Sequence, residues 1–94
     1  MPRVKLVWRR AALAELDEAA AYIAKDNPHA AAQLVQRIEY AAEGLLTFPR
    51  MGRPIDDSGL RFVLNVARTP YLMFYSLRAD QVVITKVVHG RRRR

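Results

Sequence analysis

Between Asn27 and Tyr75 the chain changes its periodicity once, and abruptly. Asn27-Pro28 opens a run in which Ala31, Leu34, Val35, Ile38, Ala41, Ala42, Leu45 and Phe48 recur at helical spacing. Asn27 suits a helix N-cap, and Pro28 suits the first helical position, where no amide donor is needed. The run then meets Phe48-Pro49-Arg50-Met51-Gly52-Arg53-Pro54. Two prolines and a glycine within six residues cannot extend a helix. Beyond this elbow, Pro70-Tyr71-Leu72-Met73-Phe74-Tyr75 is an apolar strand. Helices first and strands afterwards predict an α+β domain, not an alternating α/β one.

The flanking segments extend the pattern. Val4, Leu6 and Trp8 alternate with Arg3, Lys5 and Val7, so a short N-terminal strand is expected at 3–8. A first helix follows over about 9–25, with Leu13, Leu16, Ala20 and Ile23 on one stripe. Its start is weak: no capping side chain is available, and Arg9 and Arg10 oppose the helix dipole. The short break at Asp26-Asn27 predicts an antiparallel helix hairpin. Residues 49–59 read as loop. Three strands are expected near 60–67, 71–78 and 81–89, the last two joined tightly at Ala79-Asp80 into an antiparallel hairpin. The expected architecture is an N-terminal strand, a helix hairpin and a three-stranded antiparallel sheet. It forms a single domain over 1–90, followed by a basic tail at 91–94. The sequence leaves the place of the first strand open.

Two helices cover one face of such a sheet, yet its last two strands are apolar on both. Tyr71, Met73 and Tyr75 alternate with Leu72 and Phe74, and Val82 and Ile84 alternate with Val83 and Val87. Either the edges and loops of the chain take up the excess, or a partner covers it.

Charge points to the partner's character. Residues 1–10 carry +4, residues 11–48 carry −4 and residues 49–94 carry +7, for a net +7. The helical part is acidic and its surroundings are basic, which favours an anionic partner such as a nucleic acid, a nucleic-acid enzyme, the ribosome or an acidic protein. The chain has no cysteine, which removes disulfides, thiolate nucleophiles and cysteine-based zinc sites. His29 and His89 alone make no metal motif. No apolar run suits a membrane span, and residues 1–5 lack a secretory signal, so a cytoplasmic location and no membrane partner are expected. No phosphate-binding glycine loop or Ser/His/Asp set appears, and no cofactor is expected.

The order and wording of these segments resemble the ParE/RelE toxins of type II toxin–antitoxin systems. The matching phrases are Tyr22-Ile23, Asn27-Pro28 with Ala30-Ala31, the whole elbow 48–54, and Arg61. Pro70-Tyr71 with Phe74-Tyr75 and Val88-His89-Gly90-Arg91 complete them. The superfamily holds ribosome-dependent ribonucleases, which are RelE-like, and ParE toxins, which act on DNA gyrase without being nucleases. The elbow and the Pro-Tyr…Phe-Tyr strand look more like ParE. Leu72 and Met73 stand where the RNA-cleaving members commonly carry an arginine, and no lysine cluster lies around 50–61.

The resemblance therefore implies a ParE-like toxin with no catalytic residues. It would bind gyrase through Arg50, Arg53, Arg61, Arg78, His89 and Arg91. A ParD-like antitoxin would neutralise it in a hetero-oligomer, against the first helix and the sheet at Leu13, Leu16, Tyr71, Met73 and Tyr75. The alternative is a RelE-like endoribonuclease with Arg61 and His89 as its catalytic residues, and a third reading is a fold that has lost toxicity.

Overall fold

The computed structural model describes residues 4–91. Its elements run β1 (Lys5–Trp8), α1 (Arg10–Ala24), α2 (Pro28–Gly44), β2 (Arg53–Pro54), β3 (Arg61–Asn65), β4 (Tyr71–Arg78) and β5 (Gln81–His89). The fold is α+β, but its sheet differs from the expected three-stranded antiparallel one. It has five strands in the order β1-β5-β4-β3-β2 and is mixed, because β1 runs parallel to β5. Parallel neighbours need a long crossover, and the helix hairpin with β2 to β4 supplies it. The two-residue β2 lies in the stretch read as loop and pairs with Val63 and Phe62. The antiparallel pairing across Ala79-Asp80 is as expected, and Ala79 accepts a φ of 50° there.

α1 starts without a side-chain cap, whereas the Asn27 side chain accepts a hydrogen bond from the Ala30 amide at 3.0 Å. α2 ends at Gly44, earlier than the apolar pattern suggested. The Leu45 and Leu46 amides turn back to carbonyls three residues earlier, which tightens the last turn. Phe48 consequently leaves the core stripe and is 64% exposed. Leu13 likewise lies off the buried stripe of α1, which is formed by Ala12 and Leu16.

The helices cover one face of the sheet. Phe62, Tyr71, Met73, Tyr75, Val82, Ile84 and Val87 meet Leu16, Leu34, Ile38 and Leu45 in one core. Strict alternation would have placed Val87 on the opposite face from Val82 and Ile84. The structure corrects that expectation with a bulge. Phe74 pairs with Lys86 but Tyr75 pairs with Ile84, so Thr85 has no partner in the ladder. One extra residue reverses the alternation beyond it. Val87 is thereby buried and Lys86 is turned outward.

A fully buried aliphatic side chain stabilises a fold by about 1.5–3 kcal/mol, while an unpaired buried charge costs several kcal/mol. The bulge is the cheaper solution. It is patched on both sides: the Thr85 hydroxyl donates to the Phe74 carbonyl at 3.2 Å, and a Glu15 carboxylate oxygen accepts from the Val87 amide at 2.7 Å.

The elbow is held by Tyr75. Its hydroxyl donates to the Pro49 carbonyl at 2.8 Å and accepts from the Gly52 amide at 2.9 Å, while its ring stacks on Phe62 at 5.3 Å. Glycine is required at 52 because a Cβ there would stand 2.8 Å from the Val63 carbonyl oxygen and 2.9 Å from the Tyr75 hydroxyl. Burial pushes the Tyr75 hydroxyl above the ordinary tyrosine value of 10.0, with the Gly52 hydrogen bond and the Arg50 charge pulling the other way.

Two outcomes are expected in urea denaturation. Tyr75→Phe strands one amide and one carbonyl and lowers stability by about 1–3 kcal/mol. Because the unfolded chain ionises first, the contribution of Tyr75 is intact below about pH 10 and is lost as pH rises through the elevated folded value; the phenylalanine variant lacks that alkaline decline. Glu15→Ala leaves the Val87 amide unpaired and costs about 1.5–3 kcal/mol, reflecting a hydrogen bond to a charged group.

Candidate interaction surface on the open sheet face

The sheet face away from the helices forms the strongest candidate site. Strand register sets its membership: Val63 pairs with Phe74, Phe74 with Lys86, Arg61 with Ser76 and Arg78 with Gln81. The bulge brings Lys86 beside Phe74, and the β1–α1 junction brings in Arg9, whose amide bonds the Ile84 carbonyl at 2.9 Å. The result is an open cleft of about 620 Å³. Phe74 lies at its centre, Arg9, Arg61, Arg78 and Lys86 surround it, and Ile55 and Leu60 form one wall.

The apolar excess read in the sequence is partly absorbed within the chain. Val63 and Val83 are buried without a helix above them, and Leu72, Phe74 and Val88 are half-buried. None of the large exposed apolar side chains lies on β4 or β5.

The wall beside the cleft is a folded loop. An Asp56 carboxylate oxygen accepts from the Ser58 hydroxyl at 2.6 Å and from its amide at 3.0 Å, and the Ser58 hydroxyl accepts from the Leu60 amide. Gly59 takes the left-handed turn at φ 73°. The Ser58 hydroxyl, then its amide, and more weakly the Arg61 charge hold the Asp56 carboxyl below the usual value of 3.8, against a small desolvation effect. Arg61 lies 3.6 Å from Asp56 across exposed surface, a geometry that contributes little stability. Arg9, Arg78 and Lys86 have no carboxylate partner among the described residues. The cleft is therefore a cationic surface with an aromatic floor.

The structure does not gather the other sequence candidates there. Arg50 donates to the Gly59 carbonyl at 2.9 Å and lies 5.9 Å from the centre of the Phe62 ring, so it braces the elbow. Arg53 is exposed on the edge strand, in register with Val63. His89 packs edge-on against Tyr71 at 5.2 Å, on the helix-covered face, and its Nδ1 accepts from the Arg91 amide. Arg61 is in register with Ser76 and His89 with Tyr71. Five residues of strand separate them, about 17 Å at ~3.3 Å per residue, and they face opposite sides. The proposed catalytic pair is not assembled.

Leu16, Tyr71, Met73 and Tyr75 are core side chains, 0–7% exposed. Their burial beneath the helices corrects the expectation that they face a partner; of that set only Leu13 is exposed. Apart from Arg91, the basic tail lies outside the described residues. The sequence reading missed Arg9, whose place depends on the parallel β1; Lys86 was legible as a basic residue for the ribonuclease alternative, but its position beside Phe74 depends on the bulge. Among the described residues no three His, Cys, Asp or Glu side chains gather into a metal-binding group, and no helix is long and apolar enough to cross a membrane.

Similarity to known proteins covers nearly the whole chain. The sequence model of the family described as the ParE toxin of the type II toxin–antitoxin system parDE matches residues 6–94. "Putative toxin Y4kP" of Sinorhizobium fredii is 40% identical over 90 residues, covering 96% of this chain and 92% of the relative. Toxin RelE2 of Caulobacter vibrioides is 32% identical over 88 residues, covering 94% and 97%. A solved structure of the chromosomal ParDE system from P. aeruginosa superposes with a TM-score of 0.81 at 23% identity, covering 93% of this chain and 96% of that one. It shares the fold. With the family matched from β1 to beyond β5, this chain belongs to the ParE toxins of type II toxin–antitoxin systems.

Proposed function

We propose that this toxin acts by binding DNA gyrase, inhibiting or trapping it and so blocking replication, without cleaving any bond itself. The open cationic face is the working surface in this reading. The observation that carries it is the separation of Arg61 from His89. General acid–base cleavage of RNA needs a proton-transfer group within hydrogen-bond reach of the attacking hydroxyl, with cations at the same phosphate. Here the imidazole is on the far face and at the far end of the sheet. A surface of four cations around Phe74 suits attraction to a polyanionic assembly such as gyrase on DNA, with a salt-sensitive affinity.

The antitoxin in this reading is a ParD-like protein, as family membership suggests, in a cytoplasmic hetero-oligomer with the toxin. A segment that folds on binding would cover a large surface with a short chain. Leu13 on the outer side of α1 is the one exposed member of the contact set expected from the sequence.

The test is gyrase supercoiling of relaxed plasmid with purified toxin. Wild type is expected to inhibit. Arg61→Glu combined with Lys86→Glu is expected to weaken inhibition roughly 10-fold or more, because both side chains are exposed and the reversals alter the field directly. His89→Ala is expected to retain inhibition. Transcript cleavage in a translating extract that disappears in His89→Ala would overturn the reading in favour of the ribonuclease. Full inhibition by the double charge reversal would remove the open face from the mechanism.

A further inference from the structure

α2 carries a second surface that the proposed function does not use. Ala31, Leu34, Ile38, Ala42 and Leu45 face the core. The opposite stripe is centred on Tyr40, which is 81% exposed. Phe48 and Met51, at 64% and 51% exposed, continue the apolar surface past the helix end. Together with the side of β3 they bound a shallow groove of about 1070 Å³. One exposed apolar side chain is ordinary, but three large ones along one groove mark an interaction surface.

The charges around Tyr40 indicate what covers it. Arg37 stands three residues before Tyr40 and Glu43 three residues after it, and both line the groove. The Glu43 carboxylate makes no ion pair or hydrogen bond with any described residue. Arg37 donates only a long 3.3 Å bond to the Arg68 carbonyl, leaving most of its donors available. Two α2 helices crossing antiparallel at Tyr40 bring Arg37 of one copy level with Glu43 of the other, and the relation repeats on the other side of the axis. An isologous interface requires this self-complementarity. Gly44, four residues beyond Tyr40, has no side chain to hold the second helix away.

The distribution of charge restricts how two copies can meet. Two chains of net +7 repel each other on most approaches, whereas residues 10–48, which include both helices, sum to −3. Two copies meeting through α2 keep the strongly cationic sheet faces apart and place a balanced Arg37/Glu43 set at the centre, where opposite charges offset the repulsion between the two acidic helical segments. An acidic partner would have no net positive charge to meet there.

We propose that this toxin pairs with a second copy of itself through α2, on a two-fold axis at Tyr40, leaving both open sheet faces available. Because the chain has no cysteine, Tyr40→Cys introduces a single thiol at the axis. Mild oxidation is expected to give a disulfide-linked dimer rapidly, whereas Glu18→Cys on α1 stays monomeric.

Sedimentation equilibrium gives the second readout. Wild type is expected to dimerise, Tyr40→Asp and Arg37→Glu to weaken association roughly 10-fold or more, and Arg37→Glu with Glu43→Arg to restore it, because the swap preserves complementarity only between copies. Circular dichroism confirms that each variant is folded. A wild-type monomer at about 100 μM, well above the Kd of a stable interface, would overturn the proposal. So would equal cross-linking at positions 18 and 40, or a dimer indifferent to these substitutions.

Discussion

One extra residue in β5 sets the character of both faces of this sheet. Strict alternation would direct Lys86 under the helices together with Val82 and Ile84, and Val87 to the outside. The bulge at Thr85 reverses this. Its local disruption is met by Glu15 from α1 and by the Thr85 hydroxyl, so the Val87 amide and the Phe74 carbonyl beside it are not left without partners. A single backbone irregularity thus completes the core on one side and supplies a cation on the other. Stability and surface charge are coupled at this point, and substitutions near Thr85 act on both.

The sheet also separates chemistry that a ribonuclease would need together. Arg61, Arg78 and Lys86 share the open face with Arg9, while His89 packs against Tyr71 at the opposite end of the helix-covered face. A surface that is cationic around an aromatic floor suits recognition, where electrostatics governs encounter and register. This supports the proposed action by occupancy of a target. The elbow between helices and sheet serves that surface indirectly. Tyr75 fixes residues 49–52, and Arg50 is drawn to the Gly59 carbonyl beside the Asp56–Ser58 turn.

Much of the architecture was legible in the sequence because its signals are local. The Asn27-Pro28 start, the helical stripe of α2, the Pro/Gly elbow and the β4–β5 joint each depend on a few neighbouring residues. What escaped the reading depends on distant partners. Whether β1 joins the sheet as a parallel edge is decided by β5, at the other end of the fold. The side to which Val87 points depends on a register shift that the run Val-Val-Ile-Thr-Lys-Val-Val does not announce, although Lys86 within it is a clue in retrospect. The antitoxin surface suffered most. Apolar residues such as Met73 and Tyr75 read the same whether they await a partner or fill a core, and only the three-dimensional structure showed the helices above them.

The parallel pairing of β1 with β5 has a consequence for the order of assembly. Among the described strands β1 pairs with β5 alone, so β1 stays unsatisfied until everything between them has been made and folded back. A nascent chain can form its helix hairpin early, from local contacts, but the cation-lined face is finished only when β5 is in place, because Arg9 and Lys86 arrive with those two strands. The protein is thereby denied its mature outer surface during most of its own translation.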